Sequence, residues 1–306
     1  MTLFNTLISV TAAALVAGLS PQGPQEVQSR EHILDRDGQR LVLWEKHPER
    51  LHKQSTRVVL LLHGATWSGR PCFDLGVEGY STMQAFAQAG WDTFSLDIQG
   101  YGRSQDPRGE NVSEAKDAIE DVKVAVDAIR KLRGVKRVDL LGWSWGSQVA
   151  GLFAETYPQR TGRLVLYGSH WQPLEGAPPP PTDRFRSNSR EAAASDFVPG
   201  CYEPEVLEAF VNAALAADPD SPNGSLRDYL GNMPVQHPRR ISRPTLVILG
   251  EHEAASKMKD QLAFFAALPT SDKRFVIIPG GGHGVHLEQT KEHWRGAVLD
   301  FLTAVN

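Results

Sequence analysis

Arg137-Val138-Asp139-Leu140-Leu141-Gly142-Trp143-Ser144-Trp145-Gly146-Ser147-Gln148 is the stretch that decides the fold. Its first five residues make a short apolar run typical of a buried strand, and Ser147 to Tyr157 is rich in small and helix-forming residues. Between them stands Ser144, with a glycine two positions to either side. A strand, a sharp turn and a helix, with serine at the apex, is the context that gives G-x-S-x-G its meaning. The backbone at such an apex is strained and the helix packs close to the strand, so a side chain at Gly142 or Gly146 would clash. The turn holds the Ser144 hydroxyl where a base can reach it and aims the Trp145 N–H at a developing oxyanion. We read Ser144 as a candidate nucleophile.

Upstream, Glu31 to His47 reads as a hairpin around Asp37-Gly38. Arg57 to Leu62 is a continuous apolar run, as expected of a strand covered on both faces, and it ends at His63-Gly64-Ala65-Thr66. Ser81 to Ala89 predicts a short helix, and Thr93 to Leu96 a strand ending at Asp97. Ser113 to Leu132 predicts a helix capped by Ser113, with acids in its first turn. Downstream, Arg163 to Tyr167, Thr245 to Leu249 and Arg274 to Ile278 repeat the buried-strand pattern, and Ser256 to Ala267 and Glu292 to Val305 read as helices. This alternation implies an α/β protein with a mostly parallel, doubly wound sheet and helices on both faces. The rhythm breaks between His170 and Arg243. Pro178 to Pro181 cannot join a helix or central strand, Glu203 to Ala217 is an amphipathic helix, and Ser225 to Leu230 is a further helical stretch. We read residues 170–243 as a lid inserted over the carboxyl edge of the sheet, with residues 31–169 and 244–306 as the core.

A chain of 306 residues, 41 % of them apolar, is long enough for one large core. The net charge is −4, with both signs interspersed and no basic stripe, so nothing points to nucleic acid. Leu3 to Leu19 is almost continuously apolar or small and is followed by a polar stretch to Arg30. Residues 1–30 therefore read as a secretory signal peptide, which implies export to a periplasm or beyond. Against this, no Lys or Arg precedes the apolar run and Pro21 sits beside the cleavage point, which leaves an interfacial anchor or a packed helix as alternatives. The run is short for a stable membrane span. Cys72 and Cys201 would make one disulfide in an exported protein, but two unpaired thiols is the preferred reading.

A serine hydroxyl needs a base within reach. His283 follows Gly280-Gly281-Gly282 directly after the last strand, which places it at the same sheet edge as Ser144. His286 is expected to point into the packing or toward the lid. The imidazole in turn needs an acid to fix its tautomer, and both Glu251 and Glu253 follow the strand Thr245 to Leu249. Ala65, in the turn after Leu62, can give a second N–H to the oxyanion, while His63 reads as a residue that holds that loop. Thr66, Trp67, Trp143, Trp145, Trp171 and His286 are candidates for the neighbourhood of the pocket, which points to an apolar or aromatic substrate group. The alternative is that Trp143 and Trp145 only pack beneath the elbow. No H-E-x-x-H spacing occurs and no G-x-G-x-x-G follows a strand, so neither a metal nor a dinucleotide cofactor is expected.

Four motifs in order then carry a resemblance: His63-Gly64, Asp97-Ile-Gln-Gly100-Tyr-Gly102-Arg-Ser104, the serine elbow, and Gly282-His283. Over residues 31 to 306 the chain resembles the α/β-hydrolase superfamily, in the group that places a lid between strands six and seven. That group usually has Gly-x-x-Asp after strand seven. Carried onto Gly250-Glu-His-Glu253, the resemblance selects Glu253, a glutamate in place of the commoner aspartate. It implies that the Asp97 to Ser104 turn shapes the site without a catalytic role. Epoxide hydrolases and haloalkane dehalogenases of this fold place aspartate at the elbow, which excludes those branches. The expected activity is hydrolysis of a small-molecule carboxylic ester through an acyl-enzyme, with Ser144, His283 and Glu253 as triad and the N–H groups of Ala65 and Trp145 as oxyanion hole. The alternatives are the same triad acting as lactonase, carbon–carbon bond hydrolase or acyltransferase, and a catalytically silent ligand-binding protein.

Overall fold

The computed structural model describes residues 26–49, 57–254 and 256–304; the apolar N-terminal run read as a signal peptide lies outside them. The chain opens with β1 (Val27–Arg36) and β2 (Gln39–Pro48), paired antiparallel as a hairpin. Its turn residues Asp37 and Gly38 both take positive φ, 53° and 75°, as a two-residue hairpin turn requires. There follow β3 (Val58–Leu62), the short helices α1 (Gly69–Phe73) and α2 (Thr82–Gln88), β4 (Asp92–Asp97), α3 (Ala115–Arg133), β5 (Val138–Trp143), α4 (Trp145–Thr156) and β6 (Thr161–Tyr167). An insertion then folds outside the main sheet. It comprises a two-stranded ribbon of β7 (Phe185–Ser187) and β8 (Asp220–Pro222), the helices α5 (Arg190–Ala194), α6 (Pro204–Ala217) and α7 (Gly224–Arg227), and a π-turn at Asp228–Asn232. The sheet resumes with β9 (Thr245–Gly250), α8 (Met258–Ala267), β10 (Lys273–Ile278) and α9 (Lys291–Thr303).

The eight main strands lie in the order β1-β2-β4-β3-β5-β6-β9-β10, parallel from β4 to β10 and antiparallel at the hairpin edge. Side chains alternate across a strand, so the unbroken apolar run of β3 feeds two cores. Val58, Leu60 and Leu62 enter one, and Val59 and Leu61 the other. The register aligns Phe94, Leu60, Leu140 and Leu164 in one row across four strands, all fully buried. Each such side chain contributes roughly 1.5–3 kcal/mol by leaving water. α3, α4 and α8 cover that face. α2 and α9 cover the other, where Phe86 stacks on Trp294 at 6.2 Å.

The start of α3 departs from expectation. Ser113 is not the cap: it takes φ 59° and its hydroxyl donates to the Gln99 carbonyl at 2.7 Å. Glu114 occupies the N-cap without a side-chain bond. The Ala115 N–H instead donates to Asp228 of the insertion at 2.7 Å, a partner 113 residues away. At the other end of the same helix, Arg133 reaches a buried charge cluster and pairs with Glu45 of β2 and Asp92 of β4, while His32 meets Glu45 at 2.6 Å. Cys72 and Cys201 are both buried and unpaired. Among the described residues, no helix is long and apolar enough to cross a membrane.

Candidate active site

Ser144 follows the last residue of β5 and precedes the first of α4, with φ 55° and ψ −122°. A sparsely populated backbone conformation of this kind costs on the order of 1–3 kcal/mol, and close packing enforces it here. A Cβ on Gly142 would lie 2.2 Å from the Gly146 carbonyl oxygen, and one on Gly146 would lie 2.3 Å from the Leu62 carbonyl oxygen. The Ser144 N–H donates to the Tyr167 carbonyl at 2.8 Å, which ties the elbow to the end of β6. Trp145 is the first residue of α4, so its N–H has no partner within the helix.

His283 sits on the loop after β10, with Nδ1 at 2.8 and 3.0 Å from the two carboxylate oxygens of Glu253, which follows β9. Nδ1–H donates to that carboxylate, which leaves Nε2 as the ring nitrogen for other partners. Glu253 is almost completely buried. Glu251, the other candidate acid, is exposed and accepts the Gly280 N–H at 2.9 Å, so the structure brings only Glu253 to the histidine. The His283 carbonyl is fixed from below by Trp143 Nε1 at 2.9 Å and by the Tyr167 hydroxyl at 2.7 Å. Trp143 is the residue before Ser144, so this bond holds the histidine loop against the elbow. Burial works against the imidazolium, but the charge and hydrogen bond of Glu253, then Asp196 and Glu288, outweigh it and hold His283 up at about 9.

The loop after β3 is held from both sides. His63 Nδ1–H donates to the Gly64 carbonyl at 2.9 Å, and its Nε2 accepts the Ile98 N–H at 3.2 Å. Burial pushes His63 down to about 4, so it is neutral and holds the loop, as its sequence position implied. The Gly64 carbonyl belongs to the same peptide unit as the Ala65 N–H. The Ala65 carbonyl accepts three donors: the Tyr101 hydroxyl at 2.8 Å, Ser225 Oγ at 2.8 Å and Arg186 Nη2 at 2.9 Å. Two of the three come from the insertion. Arg186 also bonds Thr66 Oγ1 at 3.1 Å, the Pro222 carbonyl at 2.7 Å and Asn223 Oδ1 at 3.3 Å, and Ser221 Oγ donates to the Thr66 carbonyl at 2.7 Å. The Asp97 to Ser104 turn braces the same region through Tyr101, while Asp97 accepts from Gly69 N, Arg103 N and Trp44 Nε1.

The structure places most of the aromatic pocket candidates in side-chain packing. Trp143 is buried and stacks on Tyr167. Trp145 is buried, and its Nε1 donates to Asp228 of the insertion at 2.8 Å. Both therefore follow the alternative reading and pack around the elbow. Trp67 is buried against Phe210, with Nε1 on Asp196 Oδ2 at 3.0 Å. Trp171 packs edge-on to Phe264 and donates to the Asp260 carbonyl at 2.7 Å. His286 is fully buried beneath Trp143, 4.7 Å between ring centroids, and burial drives it down to about 3. Thr66 alone of these is part-exposed without being packed into an aromatic cluster. Indole rings are large enough that burial with one N–H partner is their usual fate.

Sequence reading missed two residues here. Gly168, directly after β6, takes φ 56°, and a Cβ there would lie 3.0 Å from Glu253 Oε2 and 3.1 Å from His283 Nδ1. A glycine immediately after a buried strand at the ligand edge was the available signal. Asp196, between α5 and α6, had none, because it lies in irregular chain whose placement only the tertiary structure sets.

The family described as Hydrolase_4, serine aminopeptidase, S33, matches residues 53–290. The chain is 27 % identical over 283 residues to the 2-hydroxy-6-oxononadienedioate/2-hydroxy-6-oxononatrienedioate hydrolase of Paraburkholderia phymatum, covering 83 % of this chain and 91 % of that one. Its backbone is similar to the enol-lactonase of Burkholderia xenovorans, with a TM-score of 0.69 and 17 % identity over 90 % of this chain and 100 % of that one. It is also similar to CarC, a serine hydrolase involved in carbazole degradation, with a TM-score of 0.68 and 18 % identity over 90 % of this chain and 99 % of that one. The sheet order, the strained serine elbow and the family match agree: this chain is a hydrolase of the α/β-hydrolase fold and belongs to the Hydrolase_4 (S33) family.

Proposed function

We propose that the protein hydrolyses a carboxylic ester of a small molecule through an acyl-enzyme on Ser144. The observation that carries this reading is the Glu253–His283 pair, at 2.8 and 3.0 Å, facing the edge where Ser144 stands on its strained elbow. Ser144 Oγ attacks the ester carbonyl carbon while His283 Nε2 takes its proton, and Glu253 steadies the imidazolium through Nδ1–H. The negative charge that develops on the carbonyl oxygen is met by the N–H groups of Ala65 and Trp145. His283 then gives its proton to the leaving alkoxide, the alcohol departs, and water repeats the sequence on the acyl-enzyme to release the acid and restore Ser144. Residues 170–243 serve as the lid, a reading supported by their bonds to the loop at Ala65 and Thr66.

A second reading is favoured by the Paraburkholderia phymatum relative. A 2-hydroxy-6-oxo-dienedioate has no ester, so its hydrolysis must break a carbon–carbon bond beside the 6-oxo group, and the same serine, histidine and oxyanion hole serve such a step. Turnover of p-nitrophenyl esters from acetate to long acyl chains, by wild type and Ser144→Ala, separates the two. Wild type is expected to hydrolyse some chain length, with Ser144→Ala losing on the order of 10⁴-fold or more. A wild type that ignores every ester but cleaves the dienedioate sinks the ester reading.

A further inference from the structure

The insertion places a carboxylate beside the catalytic pair that the mechanism above does not use. Asp196 lies between α5 and α6, and its Oδ2 accepts Trp67 Nε1–H at 3.0 Å, which anchors it to the oxyanion-loop side of the site. Its own backbone lies against the histidine loop: a Cβ on Gly284 would be 3.3 Å from the Asp196 carbonyl oxygen, and one on Gly282 would be 2.6 Å from Val198 Cγ2. Asp196 is only part-buried and, among the described residues, no protein donor occupies Oδ1. The carboxylate is thus anchored on Trp67 while its backbone lies against the histidine loop, with one oxygen left over.

From this position we infer that Asp196 sets substrate charge: it selects acyl donors that are uncharged near the reacting carbonyl and disfavours those that carry a carboxylate there. The inference rests on the ester reading of the site. The charged groups that bear on His283 are Glu253 after β9, Asp196 from the insertion and Glu288 after β10, all acids, while His286 after β10 is neutral. Among the described residues, the insertion cation bonded to the oxyanion loop, Arg186, already has its two Nη groups on Ala65, Thr66, Pro222 and Asn223. An incoming carboxylate would meet the Asp196 charge in a site partly shielded from water, where like charges repel far more strongly than in bulk solvent. A dienedioate brings two carboxylates, so Asp196 also separates this chain from the substrate named for its relative. Burial, with a smaller push from the Glu253 charge, raises Asp196 to about 6 against the pull of His283 and of the Trp67 bond, so the discriminating charge is present above that pH and is lost below it.

The test compares kcat/KM for p-nitrophenyl butyrate with that for the mono-p-nitrophenyl ester of succinic acid, similar in length but anionic. It uses wild type, Asp196→Asn and Ser144→Ala, from pH 5 to pH 9. Asp196→Asn keeps an acceptor for Trp67. It should narrow the neutral-over-anionic ratio by about tenfold or more. In wild type the ratio should shrink as pH falls through about 6, whereas in Asp196→Asn it should stay flat there. Both substrates use the same base, so titration of His283 cancels in the ratio. If Asp196→Asn does not fold, the wild-type ratio against pH still decides. A Ser144-dependent wild type whose ratio ignores both the substitution and the pH overturns the role of Asp196 alone. A wild type with no Ser144-dependent turnover of either ester overturns the ester reading and this inference with it.

Discussion

At the scale of single residues, the site is governed by where one proton sits. In the proposed mechanism His283 must be neutral to take the Ser144 proton, yet Glu253 holds it up at about 9. With the base active only when deprotonated, kcat/KM should climb with pH and level off near 9. Glu253→Gln removes the charge and the hydrogen bond together. The midpoint of the profile should then fall toward the ordinary value of 6.5 while the plateau drops by about 10³–10⁴-fold. A pH–rate profile of both proteins checks this, and an unmoved midpoint rules Glu253 out as the partner acid. The same pair bears on stability with a definite sign. A folded pKa above the unfolded 6.5 adds stability that is fully present below pH 6.5 and is lost as pH rises through about 9.

At the scale of elements, the edge of the sheet is organised by Arg133 at the end of α3. Its guanidinium joins Glu45 of β2 and Asp92 of β4, both fully out of water. Burial, and then the Glu45 charge, push Asp92 up to about 7 even with Arg133 beside it. Removing the cation leaves two buried carboxylates side by side, with His32 still bonded to Glu45. Arg133→Met should therefore cost about 3–5 kcal/mol in urea unfolding, and adding Asp92→Asn should recover part of that loss. A cost below 1 kcal/mol would mean that the cluster is solvated in solution. The elbow is the other element-level device. Its glycines are dictated by backbone approach within 2.2–2.3 Å of where a Cβ would stand, which is why strand, serine and helix were readable together.

At the scale of the whole molecule, insertion and core are one body. Asp228 serves α3 and Trp145 at once, Asp218 accepts Ser68 N and Gly102 N at 2.8 and 2.7 Å, and Arg186, Ser221 and Ser225 hold the loop at Ala65 and Thr66. These are buried polar bonds, each expensive to leave unmade. Scanning calorimetry should thus give a single transition with equal calorimetric and van't Hoff enthalpies, not an early melt of residues 170–243. Two resolved peaks would show that the insertion opens independently.

The sequence by itself determined what local chemistry determines. Apolar runs marked the strands, Asp37-Gly38 the hairpin, and Gly-x-Ser-x-Gly the elbow, because each depends on residues a few positions apart. His283 was legible for the same reason, as a histidine directly after a strand and a run of glycines. The choice of Glu253 over Glu251 was implied by resemblance, and the 2.8 Å contact supplies its geometry. Only the tertiary structure decided the rest. Composition near the elbow drew four tryptophans toward a pocket, whereas burial and single N–H bonds to Asp196, Asp228, the Asp260 carbonyl and the His283 carbonyl took them into the packing. Ser113 yielded the cap of α3 to Asp228, 113 residues on from the N–H it accepts, and Asp196 came to lie against the histidine loop from irregular chain. Contacts across such separations leave no periodic trace in the sequence, because they depend on how two distant segments are brought together and not on any pattern within either.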